Sequence, residues 1–296
     1  MSKTFAAADI GSNTMHLLVG SCNQKGIQRL QNISHWLSLG RVVAEHGFLP
    51  EEHAAKIYSN VDSFKQISAN EGACQLYFFG TEALRMASNH DEILDCIKQR
   101  SGVSIDLLPP MREAELALTG ALIDMSTQKP LHFAELGGGS LQVAHYEDGQ
   151  ILSEDSLPIG TGVLSQRSAL TYPSSERQVA EIKALTLERL GQFHEWPRAT
   201  SLLTSGGVAR GIWRAMHPEG HPVIHLRELE HLIWDTQRLR PEQIEKRYGV
   251  KQERALTLMP GAIVYRELLK ALGHQEMKVL SLIHISEPTR LESKSR

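Results

Sequence analysis

Phe5-Ala6-Ala7-Ala8-Asp9-Ile10-Gly11-Ser12-Asn13 and, in the second half of the chain, His132-Phe133-Ala134-Glu135-Leu136-Gly137-Gly138-Gly139-Ser140 read as one device used twice. In each, an apolar strand-like run delivers a carboxylate to a tight turn of small residues. Such a turn suits a phosphate: small residues let backbone amides approach the oxygens, and the carboxylate can hold a divalent cation through water. A phosphate-binding cleft between two related halves is the first expectation.

The flanking sequence repeats in step with the turns. Short runs at 4–9, 14–21 and 27–34 read as three strands, the first two joined as a hairpin through Gly11-Ser12-Asn13. Pro50-Glu51-Glu52 opens a helix to about Asn70, since Ala55, Ile57, Tyr58, Val61, Phe64 and Ile67 recur near helical spacing behind acidic first-turn residues. A strand at 75–79, helices at 81–87 and 91–99, a strand at 103–108 and a helix at 112–123 complete the first half. The second half offers strands at 131–136, 141–146 and 151–157, then helices at 163–170 and 175–195. A strand at 200–204 runs into a third glycine turn, Ser205-Gly206-Gly207, before helices at 208–216, 226–237, 241–248 and 253–272 and a last strand at 277–281. Two strand-strand-strand-helix units in tandem imply a duplicated α/β architecture with mixed sheets. The polar, proline-ended Met125-Ser-Thr-Gln-Lys-Pro130 is the expected boundary, dividing residues 1–126 from 127–281.

Bulk composition narrows the function classes. The 296 residues suffice for two domains, with 41% hydrophobic and 22% charged residues. A formal net charge of −3 argues against nucleic acid, because proteins that track a long polyanion carry a basic excess. Cys22, Cys74 and Cys96 lack metal-ligand spacing and read as reduced thiols. With no signal peptide before the first strand and no apolar run near the roughly 20 residues that cross a bilayer, the expectation is a cytoplasmic protein without a membrane partner. The 14 histidines form no zinc motif, and Ser140 lacks the Gly-x-Ser-x-Gly context of a serine nucleophile.

Five motifs in order, Ala8-Asp9-Ile-Gly11-Ser12-Asn13, Gly80-Thr81-Glu-Ala-Leu-Arg85, Arg112-Glu113-Ala114, Glu135-Leu-Gly137-Gly138-Gly139-Ser140 and Ser205-Gly206-Gly207, resemble the exopolyphosphatase and guanosine-pentaphosphate phosphohydrolase (Ppx/GppA phosphatase) family over about residues 4–281. The resemblance implies a duplicated actin-like fold of the ribonuclease H-like superfamily, with two subdomains flanking a cleft. It also implies release of the terminal phosphate of polyphosphate, or of the 5′-γ-phosphate of pppGpp, with magnesium as cofactor and a homodimer as the possible assembly. Carried over residue by residue, Glu113 becomes the carboxylate that orients water. Arg85 becomes a phosphate clamp, suited by its fixed charge and forked donors. Ser12, Asn13, Gly138, Gly139, Ser140 and Gly206 become phosphate donors, and Asp9 and Glu135 ligands of metal or water. Glu113 is also what a solvated first-turn Glu looks like; its register with the other motifs is what favours the catalytic role.

The chain departs from the family pattern in two places. Glu135 stands where the family has Asp, and Leu141-Gln142 where it has Thr-Glu, so one carboxylate is displaced and another is missing. An alarmone- or nucleotide-binding protein with weak turnover is therefore the alternative to a hydrolase, with an actin-fold small-molecule kinase third. Beyond Ser281, the expected Gly-x-Arg-x-Gly segment is replaced by a tail, 282–296, that reads as non-native and disordered, and no helical C-terminal domain follows.

Overall fold

The computed structural model describes residues 2–23, 26–122 and 129–280. The expected boundary at 126/127 and the tail at 282–296 lie outside the described residues. Within them are two sheets that share one order over five strands, the second carrying a sixth at its edge. In the first, β1 (Lys3–Ile10), β2 (Thr14–Asn23), β3 (Gly26–Trp36), β4 (Gln75–Gly80) and β5 (Ile105–Leu107) lie in the order β3-β2-β1-β4-β5. In the second, β6 (Leu131–Leu136), β7 (Leu141–Glu147), β8 (Gln150–Leu157), β9 (Leu202–Ser205), β10 (Val223–His225) and β11 (Glu276–Val279) lie in the order β10-β11-β9-β6-β7-β8. Each lobe opens with a three-strand antiparallel meander, and its first strand then takes a parallel partner, β4 beside β1 and β9 beside β6. This repeated order is the duplicated α/β plan with mixed sheets that the sequence implied.

The helices follow from local chemistry. α2 (Glu51–Asn70) starts behind Pro50 with Glu51 and Glu52 in its first turn, and buries Ile57, Val61 and Phe64 against the first sheet. α7 (Glu176–Leu190) is closed by a capping box in which Ser175 and Gln178 exchange hydrogen bonds. α11 (Gln252–Leu272) is buried nearly all round, including Tyr265 and Met259, and is the central helix of the larger core. Pro260 within it donates no amide hydrogen bond, and the helix continues through it.

Four local features differ from the sequence reading. α1 (Leu39–His46) was not expected; it starts after Ser38 in a left-handed conformation, φ 54, and is too short to show a period in sequence. The three-residue β10 likewise went unread. The expected helix at 163–170 is α6 (Thr161–Arg167), begun two residues earlier, and the stretch read as helix to Glu195 ends in a 3₁₀ turn at Gly191–Glu195.

Between the lobes runs α5 (Pro110–Leu122). Although it lies before the expected boundary, it packs on the second sheet: its buried Leu118 joins Leu131, Phe133, Ala144 and Leu203 in a separate small core. Glu113, in its first turn, is thereby carried to the junction of the lobes.

Candidate functional site

The two glycine turns have the same backbone geometry. Gly11 N donates to Thr14 O at 3.0 Å, and Gly137 N donates to Ser140 O at 2.9 Å. Asp9 pairs across its hairpin with His16, and Glu135 pairs with Gln142. In both lobes a short helix ties back the turn's carbonyls: Gly40 N, at the start of α1, donates to Ser12 O at 2.7 Å, and Gly162 N, at the start of α6, to Gly138 O at 2.8 Å. Among the described residues no backbone carbonyl accepts from the amides of Ser12, Asn13, Gly138 or Gly139. Four donors are thus left at the cleft, the arrangement a phosphate oxygen needs.

The turns face each other at contact distance. A Cβ on Gly138 would sit 2.5 Å from Asn13 Cγ, and one on Gly139 would sit 2.6 Å from Ser12 Oγ. A larger side chain at either position would have to displace Asn13, Ser12 or Glu82. Ser12 and Ser140 are nearly buried, at 7% and 6% exposure. Gly206 begins α8 (Gly206–Met216) at φ +88, a left-handed conformation that favours glycine, with the Glu135 side chain directly beside it.

The carboxylates converge on the floor between the turns. Burial, reinforced by the charges of Glu113 and Glu135, pushes the Asp9 carboxyl up to about 8. Asp9 Oδ1 is enclosed and has no hydrogen-bond partner among the described residues. Glu113 is raised to about 7, chiefly by burial; Arg85 opposes the shift, while Glu135 and Glu82 add to it. Burial also raises Glu135, against the pull of Arg210. Arg85 Nη1 lies 3.1 Å from Glu113 Oε2 and also donates to the carbonyl of Leu108. The expected phosphate clamp and the expected catalytic carboxylate are therefore an ion pair, each side chain about one-fifth exposed.

The site also contains residues that the sequence reading left without a role. Glu82, at the first position of the short helix α3 (Glu82–Met86), reaches Ser140 and Gly139. Arg210, on α8, faces Glu135. Arg254, on α11, donates to Gly207 O at 2.8 Å and lies over the Trp36 ring at 5.2 Å, so it touches both lobes. An arginine soon after a strand-to-helix glycine turn is a pattern Arg210 shares with Arg85, and this could have singled it out; nothing local marks Arg254 or Glu82.

The donors here are hard oxygens that suit magnesium, and the partnerless Asp9 Oδ1 and the crowding of like charges fit a cation. Among the described residues no three acid, histidine or thiol side chains close on one point. A cation held here would take one or two carboxylates and complete its shell with water and phosphate oxygens, the usual manner of magnesium.

The chain is similar to known proteins over most of its length. The chain is 26% identical over 294 residues to exopolyphosphatase 1 of Mycobacterium tuberculosis (strain H37Rv), an alignment spanning 92% of this chain and 83% of that protein. It is 25% identical over 285 residues to the guanosine-5′-triphosphate,3′-diphosphate pyrophosphatase of Aliivibrio fischeri (strain ES114), across 94% of this chain and 56% of that one. Its fold matches the crystal structure of an exopolyphosphatase from Cytophaga hutchinsonii with a TM-score of 0.84 at 21% identity, and that of the Ppx/GppA family member from Aquifex aeolicus with 0.80 at 19%, each covering 94% of both chains. The profile of the Ppx/GppA phosphatase family matches residues 18–283. A match over nearly the whole length, on a fold shared with solved members, makes this chain a member of the Ppx/GppA phosphatase family.

Proposed function

We propose that this chain is a phosphohydrolase that removes the terminal phosphate of polyphosphate, or the 5′-γ-phosphate of pppGpp, by attack of a water held at Glu113. The observation that carries this reading is the Arg85–Glu113 pair at 3.1 Å beside four unclaimed turn amides. A terminal phosphoryl group seated on Ser12, Asn13, Gly138, Gly139 and Ser140 would face the Arg85–Glu113 pair. Phosphoryl transfer asks the protein mainly for positioning and charge stabilisation, and guanidinium and amides supply both. A carboxyl raised to about 7 is a stronger base than a solvated Glu and is still substantially ionised at neutral pH, as a general base requires. Asp9 and Glu135 would hold a divalent cation, which supplies charge neutralisation at the phosphate when bound. Gly206 keeps the approach to Glu135 open.

The relatives named exopolyphosphatase and guanosine-pentaphosphate pyrophosphatase support the substrate class. The test is phosphate release from short polyphosphate, long polyphosphate, pppGpp and ATP, with and without magnesium, in the parent and in Glu113→Gln. Magnesium-dependent release abolished by the substitution supports the reading, and release that survives it removes Glu113 from this role. One observation favours the alternative of a weakly active alarmone-binding protein: Gln142 is buried and its amide is spent on Ser140 at 2.6 Å. Tight nucleotide binding without release would select it.

A further inference from the structure

The duplicated plan gives each residue of one sheet a counterpart in the other, and one face is covered in the second lobe alone. Asp9 matches Glu135, so Ala7 matches Phe133 and Phe5 matches Leu131. Ala7 pairs with Leu18 on β2 and Tyr77 on β4, as Phe133 pairs with Ala144 on β7 and Leu203 on β9. In the second lobe these positions lie under α5, where Leu131, Phe133, Ala144 and Leu203 close on Leu118 as the separate small core. In the first lobe Phe5, Ala7, Leu18 and Phe79 are partly exposed and Tyr77 is 52% exposed. None of the five belongs to a core cluster among the described residues; their neighbours Ala6, Ala8, Leu17 and Phe78 fill the core on the α2 side. A sheet face left to water normally carries polar residues, and strands paired in parallel are normally covered on both faces.

The connections point to what belongs on this face. β5 and β11 are counterparts, since each lies in parallel beyond the first strand's own parallel partner, β5 on β4 and β11 on β9. The chain leaves β5 through Leu108, whose amide donates to Gly80 O at 2.9 Å, and crosses as α5 to the other lobe. It leaves β11 through Leu280, whose amide donates to Thr204 O at 2.8 Å and whose side chain packs on the small core beside α5. We propose that the bare face of the first sheet is the seat of an amphipathic helix that enters behind β11 and crosses to the first lobe as α5 crosses to the second. Ala7 stands where the other lobe has Phe133, and it is flanked by the larger Leu18 and Tyr77 where the other lobe has Ala144 and Leu203. The seat is therefore hollow at its centre, and a leucine-sized side chain on the helix's apolar stripe fills it. This assignment does not depend on the hydrolase reading.

Tyr77 reports the seat directly. Its nitration by tetranitromethane, read by peptide mass, is compared in the chain as it stands and in a chain whose residues after Leu280 are replaced by a second copy of 109–122, the link and helix of α5, carrying Glu113→Gln. The parent is expected to react at Tyr77, and the extended chain about fivefold more slowly, because a tethered helix meets its seat at millimolar effective concentration. Leu18→Lys in the extended chain, which puts a charge into the seat, is expected to return Tyr77 to the parent rate. Should the extended chain not fold, the free 109–122 peptide in millimolar excess over the parent gives the same comparison. Equal reaction with and without the helix, or protection that survives Leu18→Lys, overturns the proposal. So does a Tyr77 that is already unreactive in the parent: protection that grows with protein concentration, alongside a sedimenting dimer, makes a second copy the occupant, and protection at every concentration leaves no vacant seat.

Discussion

Arg85 and Glu113 form an ion pair 3.1 Å long between a helix of the first lobe and the helix that crosses to the second. The pair sets two properties at once. It restrains a carboxyl that burial alone would push higher, and it holds the guanidinium between Glu113 and the Leu108 carbonyl.

Removing the arginine therefore has two consequences. In Arg85→Ala the buried Glu113 loses the charge that favours its ionised form, so the acid limb of the kcat/KM profile is expected to move to higher pH. Phosphate release is expected to fall by about 10² or more, the scale on which lost transition-state stabilisation registers. Rate against pH for parent and variant checks both; an unmoved acid limb would separate Arg85 from Glu113.

Glycine-to-alanine substitutions should sort sharply by surroundings. A Cβ on Gly160 would be driven into the backbone of Gly138 and Gly139, which cannot swing aside. Gly160→Ala is expected to cost about 1–3 kcal/mol or to deform the phosphate turn. Gly120, in α5, would place its Cβ in open space, and Gly120→Ala is expected to stabilise by about 1 kcal/mol through helix propensity. Urea unfolding of the two variants measures the contrast, and equal effects would contradict it.

Arg254 ties the lobes together through Trp36. Trp36→Ala is expected to lose about 0.5–1 kcal/mol of stability, with a larger effect on KM than on kcat because the contact spans the cleft. A kcat loss with unchanged KM would place the contact in the chemical step instead.

Acid should unfold the second lobe through histidines remote from the cleft. Burial, together with the nearby charges of His274 and His145, lowers His132 to about 4, against its hydrogen bond to Pro197 O; burial lowers His274 as well. His132 stays neutral in the fold down to about pH 4 while the unfolded chain binds its proton near pH 6.5, and His274 is shifted in the same direction, so stability is expected to be lost as pH falls from about 6.5 towards 4. Tm measured across that window should decline, and less steeply in His132→Gln. A parallel decline in the variant would assign the effect elsewhere.

Much of this molecule was readable from local pattern. The apolar runs ending at Asp9 and Glu135, the acidic first turn of α2 and the glycine turns each depend on residues within a few positions of one another, so strands, hairpins and the duplicated order could be derived from them. The elements that escaped were those too short to show a period, α1 and β10.

The candidate site divides along the same line. Sequence by itself determined that two carboxylate-to-glycine turns exist, that they share one strand plan, and that Arg85 and Glu113 stand in register with them. Only the tertiary structure decided that Gly138 and Gly139 meet Asn13 and Ser12 across the cleft, that Glu82 turns inward to Ser140, and that Arg210 and Arg254 come from far along the chain to flank Glu135 and Trp36. The reason is physical: hydrogen bonding and periodicity act over a few residues, whereas desolvation and charge depend on which segments folding stacks together. Asp9 is an ordinary aspartate in the sequence and becomes a group pushed to about 8 only once folding buries it, with Glu113 and Glu135 beside it adding to the shift.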